Sequence, residues 1–195
     1  MSGADDSWPT LETARLRLRR FREDDLAPFM AYRNDPEVAR YQSWERISLP
    51  EAQALIQAVR VGRLGVPGEG VQIAWELRAT GALVGDCYFH IEAARPQQAE
   101  LGYTLASEAQ GQGLATEALG AWLSYAFAAY DLQRVYAIVD GENRRSIELL
   151  ARLGFRLEDD APQRVWFKGH WSDEYRYAIS REEWAARHSA SLDFR

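Results

Sequence analysis

Cysteine is nearly absent from this chain, which holds only Cys87 in 195 residues. One cysteine excludes an internal disulfide and any zinc site built on cysteines, and it suits a reducing cytoplasm. Long apolar runs are also missing, since none approaches the roughly 20 residues that span a bilayer. The start, Met1 to Asp6, has neither the basic nor the apolar region of a signal peptide. We therefore expect a cytoplasmic protein without a membrane partner, in which Cys87 is a buried strand residue.

Basic side chains are in deficit, because 23 Lys and Arg stand against 29 Asp and Glu, a net charge of −6. Nucleic acid is therefore not expected as a partner, since phosphate binding requires a basic surface. The same negative field would attract cationic substrates such as amines. Histidine is scarce too, and His90, His170 and His188 are too scattered to indicate a metal site or a catalytic triad. We expect no metal.

The composition is that of a folded protein with a substantial core. The hydrophobic content is 47% and includes 7 Trp and 9 Tyr, which argues against disorder. We expect a flexible N-terminus over residues 1–10 and a single domain over residues 11–195. The aromatic content also makes a homodimer a reasonable hypothesis.

Hydrophobic periodicity predicts both strands and helices. Residues 15–19 alternate with period two and are expected to form a strand with its leucines inward. The other expected strands are 72–77, 83–91, 98–105, 135–139, 164–168 and 174–180, and the expected helices are 23–32, 50–61, 114–129, 144–153 and a short one around Trp184. Antiparallel strands come first and one βαβ crossover follows. This order favours an α/β (mixed α+β) sheet over a doubly wound one.

The segment from Gln110 to Thr116, of sequence QGQGLAT, lies between a predicted strand and a predicted helix. Glycines allow close backbone approach to a ligand, and the first amides of a helix are unsatisfied donors, so such a loop can hold a pyrophosphate. A Walker P-loop is excluded, because no lysine follows Gly113. A dinucleotide-binding loop is a competing interpretation, although Thr116 takes the place of its third glycine. A loop that merely turns the chain is the other alternative.

At these residues the chain resembles the GNAT superfamily of N-acetyltransferases. The family's loop pattern is matched by Gln110-x-x-Gly113-x-Ala115, and its Asn-headed helix ending in Gly-Phe is matched by Asn143 to Phe155. Further segments resemble the RimJ/RimL-like branch, which acts on ribosomal proteins: Glu100-Leu101-Gly102-Tyr103, Thr116-Glu117-Ala118, Arg40-Tyr41 and Glu174-Tyr175-Arg176-Tyr177. The resemblance covers about residues 11–185.

The resemblance implies a single mixed, mostly antiparallel central sheet flanked by helices, and acetyl-CoA as the acyl donor. It implies a splay between two strands into which the pantetheine arm inserts like an added strand. The implied donor contacts are the amides of Gln110, Gly111, Gln112, Gly113, Leu114, Ala115 and Thr116 for the pyrophosphate, backbone groups of Tyr103 and Leu105 for the arm, and Asn143 across the gap.

Acyl transfer to an amine requires a base, because free amines are largely protonated at neutral pH. Glu100 is the candidate, since strand alternation puts it on one face with Gly102 and Thr104; the alternative is a solvent-facing strand carboxylate or a salt-bridge partner. Glu117 and Glu148 are interpreted as charges on helix surfaces.

The chain departs from the family at the acid that protonates the leaving thiolate. Many members carry a tyrosine where this chain has Leu150, whereas Ser146 is typical of the RimJ/RimL-like branch. Ser146 is therefore the candidate acid, and local helix capping is its alternative role. Tyr32, Tyr41, Trp44, Trp166 and Trp171 are candidates for the wall of an acceptor pocket, with core packing as the alternative.

Three functions remain open at this point. The first is direct acetyl transfer from acetyl-CoA to a primary amine, either a protein N-terminus or a small molecule. The second is a non-enzymatic CoA-binding or partner-docking module of the same fold, favoured by Leu150. The third is an NAD-binding oxidoreductase.

Overall fold

The computed structural model describes residues 8–158 and 161–189. Most of the predicted flexible N-terminus, residues 1–7 of 1–10, therefore lies outside the described residues. Trp8 belongs to the predicted flexible segment and is described: its indole Nε1 donates to the carbonyl of Gly62 at 3.2 Å. No helix in the described ranges has the length and apolar character needed to cross a membrane.

Strands and helices follow the predicted order closely. The strands are β1 (Leu11–Glu12), β2 (Leu16–Arg19), β3 (Gly70–Leu77), β4 (Leu83–Ile91), β5 (Gln98–Leu105), β6 (Arg134–Asp140), β7 (Arg156–Leu157), β8 (Gln163–Phe167) and β9 (His170–Ser180). The helices are α1 (Leu26–Arg33), α2 (Pro36–Ala39), α3 (Leu49–Val61), α4 (Leu114–Ala129), α5 (Arg144–Leu153) and α6 (Arg181–Ser189), with 3₁₀ turns at Glu23–Asp25 and Ser107–Ala109.

The described strands form one nine-stranded sheet in the order β1-β2-β3-β4-β5-β6-β9-β7, with β8 paired to β9. The β5–β6 pair is parallel, whereas β1–β2, β2–β3, β3–β4, β4–β5, β6–β9, β7–β9 and β8–β9 are antiparallel. The parallel pair arises because α4 carries the chain from β5 back to the same end of the sheet. The prediction of a mixed, mostly antiparallel sheet is confirmed.

One face of the sheet is apolar and carries α4. Leu16 and Leu18 are completely buried there, as the period-two pattern predicts. Phe89 of β4 packs edge-to-face on Trp122 of α4 with ring centroids 5.2 Å apart. Burying side chains of this size stabilises the fold by about 1.5–3 kcal/mol each. Helix α4 is therefore held firmly on the sheet, and so is the loop at its N-terminus.

The opposite face of the sheet is rich in charged and hydroxyl groups. Near β2, buried Arg19 binds Asp25 at 2.7 Å and Glu76 at 2.6 Å, so that each buried charge is paired. Further along, Tyr32 of α1 donates to the buried carboxylate of Asp86 on β4. On this face, Thr104 of β5 lies opposite Asp86 and is buried, whereas Glu100 of β5 is only partly buried.

Candidate active site

A gap opens between β5 and β6 at Glu100. Pairing of the two strands covers Gln98–Glu100 against Arg134–Tyr136 and then stops. Both strands nevertheless continue, β5 to Leu105 and β6 to Asp140. The strands therefore splay apart and leave a cleft whose walls are strand edges.

Backbone groups of Tyr103 and Leu105 point into this gap. On the other side of β5, Gln98 and Ala106 form hydrogen bonds to Glu92 and Val84 of the β4 side. In a strand, the backbone N–H and C=O groups of every second residue point to the same side. Because even-numbered residues bond to the β4 side, the backbone groups of the odd-numbered residues point towards β6. Two side-chain amides accordingly reach these carbonyls from the gap side: Gln42 Nε2 lies 3.2 Å from the Tyr103 oxygen and Gln110 Nε2 lies 3.0 Å from the Leu105 oxygen.

The loop from Gln110 to Thr116 closes one end of the gap. Gly111 and Gly113 both have left-handed backbones, with φ of 73° and 76°. Gly113 is the N-cap of α4, and the first helical bond of its carbonyl is to Glu117 N, so the amides of Leu114 to Thr116 have no partner within the helix. The apolar side chain of Leu114 is buried in the core, which anchors the first turn. These amides form a ready site for an anionic group.

A set of contacts, here called the brace, joins the segment just before β2 to the loop and to α4, and the sequence does not predict it. Arg15 Nη1 donates to the carbonyl of Gln112 at 2.8 Å, and its Nε forms an ion pair with Glu117 at 2.7 Å. Glu117 also accepts from Thr13 Oγ1 at 2.6 Å and from the Arg15 amide at 2.8 Å. The interpretation of Glu117 as a helix-surface charge is therefore wrong, because its side chain is only 18% exposed and joins two elements.

These contacts also favour the ionised form of the Glu117 carboxyl. Burial opposes its charge, but the hydrogen bonds from Thr13 and Arg15 outweigh this and lower the pKa of the carboxyl. The pattern gave no signal for the brace, since Arg15 and Glu117 are 102 residues apart in the chain. Its effect is to place a guanidinium beside the loop, where it would favour a bound phosphate.

Helix α5 begins at the other wall of the gap. Asn143 is its N-cap, and its Oδ1 accepts from the Ser146 amide at 3.2 Å. The Ser146 hydroxyl lies 2.5 Å from the Tyr103 hydroxyl of β5. Arg145 reaches the loop, where its Nη1 donates to Gln110 Oε1 at 2.8 Å. The first turn of α5 is thus tied both to β5 and to the glycine-rich loop.

Two positions on α5 differ sharply in environment. Leu150 is completely buried in the core. Ser146, by contrast, is only partly buried. Burial raises the pKa of Tyr103 to about 12, although the hydrogen bond with Ser146 acts in the opposite direction. The Tyr103 phenol is therefore protonated at neutral pH.

Glu100 is the last paired residue of β5 before the gap. It lies opposite His90 of β4 and Tyr136 of β6, on one face with Gly102 and Thr104 as the alternation predicts. Burial raises the pKa of Tyr136 to about 12, and the carboxylates of Glu92 and Glu100 add to this shift. Partly buried Glu100 thus lies between His90 and Tyr136, at the point where the strands separate.

The far end of the gap carries two carboxylates on paired strands. Asp140, at the end of β6, lies opposite Glu174 of β9. Asp140 accepts from Ser172 Oγ at 2.6 Å and from the Glu142 amide at 2.7 Å. Burial raises the pKa of Glu174, and the negative charge of Asp140 raises it further.

This shift predicts the pH dependence of stability. Because the folded-state pKa of Glu174 lies above the unfolded value of 4.5, its ionisation opposes folding, and stability falls as the pH rises through the folded pKa. In Glu174→Gln we therefore expect a higher thermal midpoint than in the wild type at pH 7, with the two converging below pH 4.5. Glu148→Gln, on the exposed side of α5, is the control and should change little. A lower midpoint for Glu174→Gln at pH 7 would contradict this account.

The five aromatic residues predicted to line an acceptor pocket lie in different environments. Tyr32 lies in the core against Asp86, whereas the Tyr41 hydroxyl reaches the Glu142 carbonyl at 3.4 Å and thereby approaches the gap. Trp44 Nε1 donates to the Arg33 carbonyl at 3.0 Å. Trp166 and Trp171 pair edge-to-face on the β8–β9 hairpin but are 63% and 57% exposed.

Lys168 links the β8–β9 hairpin to the end of α2 and to the segment that follows it. Lys168 Nζ donates to the carbonyls of Ala39 at 2.6 Å and Trp44 at 2.5 Å. Desolvation lowers the pKa of this amine. The segment that carries Tyr41, Gln42 and Trp44 is therefore held beside the gap.

Comparison with known proteins finds that this chain is similar to acetyltransferases. Residues 15–156 match the family model described as "Acetyltransferase (GNAT) domain". The chain is 33% identical over 173 residues to the uncharacterized N-acetyltransferase YoaA of Bacillus subtilis (strain 168), covering 88% of this chain and 97% of YoaA. It is 30% identical over 177 residues to the uncharacterized N-acetyltransferase p20 of Bacillus licheniformis, covering 90% and 98%.

A solved structure extends the similarity to the RimJ/RimL group. Mycobacterium smegmatis RimJ, in complex with a CoA-disulfide, superimposes with a TM-score of 0.76 and is 26% identical. The match covers 90% of this chain and 88% of that one.

Proposed function

The chain belongs to the GNAT acetyltransferase family, and we propose that it transfers an acetyl group from acetyl-CoA directly to a primary amine. The observation that carries this proposal is the gap between β5 and β6, which opens at Glu100 beside the loop from Gln110 to Thr116. A donor seated there would have its thioester next to a carboxylate.

The described residues fit the shape and charge of acetyl-CoA. The left-handed glycines and the free amides of Leu114 to Thr116 suit a pyrophosphate, and Arg15 lies beside them. Backbone groups of Tyr103 and Leu105 face the gap and suit the amides of a pantetheine arm. Asn143 caps α5 on the opposite wall. The relative from M. smegmatis was solved with a CoA-disulfide, which supports the same donor class here.

In the proposed reaction Glu100 removes a proton from the attacking amine. Free amines have pKa values of about 8 for an α-amino group and about 10.4 for lysine, so a base is required at neutral pH. The backbone N–H groups of Leu101 and Tyr103 point towards the gap by strand alternation and would stabilise the oxyanion. Ser146 would donate a hydrogen bond to the departing sulfur, which is a good leaving group with a thiol pKa near 8.5.

The acceptor is proposed only as a class. A protein N-terminal α-amine and a small-molecule amine both suit a chain of net charge −6. Acceptor loops differ among proteins of one architecture, so the fold supports the donor more firmly than the acceptor. The surface at the gap that an acceptor would meet includes Glu100, Tyr41 and the Asp140–Glu174 pair.

Direct acetyl transfer predicts equal amounts of two products. The purified protein, acetyl-CoA and a panel of amines would be incubated, with peptides of free N-terminus, polyamines and aminoglycosides as separate members. We expect free thiol and N-acetylated amine to appear in a 1:1 ratio with at least one member, measured by a thiol reagent and by mass spectrometry. Heat-denatured protein is the control.

Two results would contradict the proposal. Thiol release without an acetylated amine would indicate hydrolysis instead of transfer. Tight acetyl-CoA binding without thiol release across the whole panel would favour a non-enzymatic CoA-binding module, the alternative supported by the buried Leu150.

A further inference from the structure

The hydroxyl pair formed by Tyr103 and Ser146 crosses from β5 to α5 at the gap. The two oxygens are 2.5 Å apart, and Tyr103 is the residue whose carbonyl edges the gap. We propose that Tyr103 is a positioning residue, whose phenol donates to Ser146 Oγ and thereby aims the serine hydrogen at the sulfur of the donor. This inference rests on the proposed function.

Either oxygen of the Tyr103–Ser146 pair can be the donor, and the proposal assigns that role to Tyr103 on chemical grounds. Each hydroxyl has one hydrogen to donate and lone pairs to accept. The phenol is the more acidic donor, and its other neighbour, the Ser146 carbonyl, is 3.4 Å away. When Tyr103 donates to Oγ, the serine hydrogen is left free to point elsewhere. Because the pKa of Tyr103 is raised to about 12, the phenol keeps its proton throughout the neutral range.

The backbone of α5 restricts where Ser146 can direct that hydrogen. The Ser146 amide is bound to Asn143 Oδ1 at 3.2 Å, which fixes the first turn. Tyr103 occupies one side of the hydroxyl, and in the proposed arrangement the serine hydrogen is directed into the gap between β5 and β6. The positive end of the helix dipole lies at this turn and would favour a developing negative charge on sulfur.

Helix α5 itself contains no tyrosine. Position 150 lies one helical turn beyond Ser146, on the same side of α5, but it carries a leucine that is completely buried. Tyr103 brings a phenolic hydroxyl to this side of α5 from the neighbouring strand instead. It acts through the serine and not on sulfur itself.

In the proposed step all atoms and electrons are accounted for. The protonated amine first loses one proton to solvent. The neutral amine then attacks, the C–N bond forms and the C–S bond breaks, the second amine proton passes to Glu100, and sulfur takes the electron pair of the broken bond. The Ser146 hydroxyl donates a hydrogen bond to that sulfur without losing its proton, and the CoA thiolate is protonated by water after release.

The test is a double-mutant cycle with Tyr103→Phe, Ser146→Ala and the pair combined. Without Tyr103 or Ser146, the hydrogen bond from the Ser146 hydroxyl to the departing sulfur should be weakened or lost. Because hydrogen bonds to a charged group are strong, kcat should fall by about 10- to 100-fold. The KM for acetyl-CoA should stay within about threefold, because the backbone contacts remain. The double variant should be no slower than Ser146→Ala, since Tyr103 acts only through the serine. In a Ser146→Thr background, which keeps a hydroxyl, Tyr103→Phe should again lower kcat.

Tyr125→Phe on α4 is the matched control and should leave kcat unchanged, because this tyrosine packs against Trp122 and Tyr130 away from the gap. Wild-type kcat in Tyr103→Phe, or losses that multiply in the double variant, would overturn the inference and leave the proposed function standing. Equal losses of kcat and acetyl-CoA affinity with a lowered thermal midpoint would also overturn it, since they indicate packing alone. Absence of acetyl transfer by the wild type would remove the proposed function and this inference together.

Discussion

Replacing Gly113 by valine is expected to weaken acetyl-CoA binding by at least about 100-fold. The backbone φ of 76° is unfavourable for a β-branched residue, so the loop must move. The amides of Leu114 to Thr116 would then lose their aim at the pyrophosphate. Two hydrogen bonds to a charged group are together worth about 3 kcal/mol or more, which corresponds to about 100-fold in affinity. Calorimetric titration of the variant and the wild type measures the difference.

Gly81 offers a control with the same backbone strain at a distant place. It lies in the β3–β4 connection with φ of 73°, and an added Cβ would meet nothing within 4 Å. Gly81→Val should lower the thermal midpoint about as much as Gly113→Val, yet bind acetyl-CoA with wild-type affinity. If Gly113→Val also binds with wild-type affinity, the loop does not hold the donor.

Replacing Glu100 by glutamine is expected to lower kcat by about 100- to 10,000-fold, the range over which general base catalysis contributes. The amide is nearly the same size and leaves the β5–β6 pairing intact, so acetyl-CoA affinity should not change. The rate of the variant should depend on pH only through the amine itself, because the enzyme's own base has been removed. Steady-state rates between pH 5.5 and 9 measure both effects.

Glu148→Gln is the matched control for the charge change, since Glu148 is 69% exposed on α5. Its rate should equal that of the wild type. A Glu100→Gln rate within a factor of about two of the wild type would return Glu100 to the role of a strand carboxylate. The partly buried Glu174, whose pKa is raised, would then be the next carboxylate to substitute.

Most of the fold follows from local patterns in the sequence. The period-two pattern of Leu16 and Leu18 predicts a strand, and the apolar stripe from Leu114 to Ala126 predicts a helix. The structure confirms the buried face of both elements. Gly154, with φ of 93°, ends α5 where a C-terminal glycine is expected. The shortest elements were missed, namely β1, α2 and β7, because two to four residues carry no periodicity.

The site was predictable only where a motif is continuous in the chain. The loop from Gln110 to Thr116 and the Asn143 cap lie on the elements the sequence indicates. The Arg15–Glu117 brace, the Gln42–Tyr103 contact and the Tyr103–Ser146 pair join residues 102, 61 and 43 positions apart. Such partners are set by strand order and register, which one sequence does not reveal. The sequence accordingly predicts only a backbone role for Tyr103.

Calorimetric titration of the wild-type protein with acetyl-CoA, free CoA and NAD, each in turn, tests the central claim most directly. The geometry of the gap and the loop predicts saturable binding of acetyl-CoA and CoA with one site per chain, and no heat of binding for NAD. Binding of NAD alone would contradict the account and restore the dinucleotide-binding interpretation of Gly111 and Gly113. Absence of binding by acetyl-CoA and CoA would mean that the gap between β5 and β6 does not hold the acyl donor.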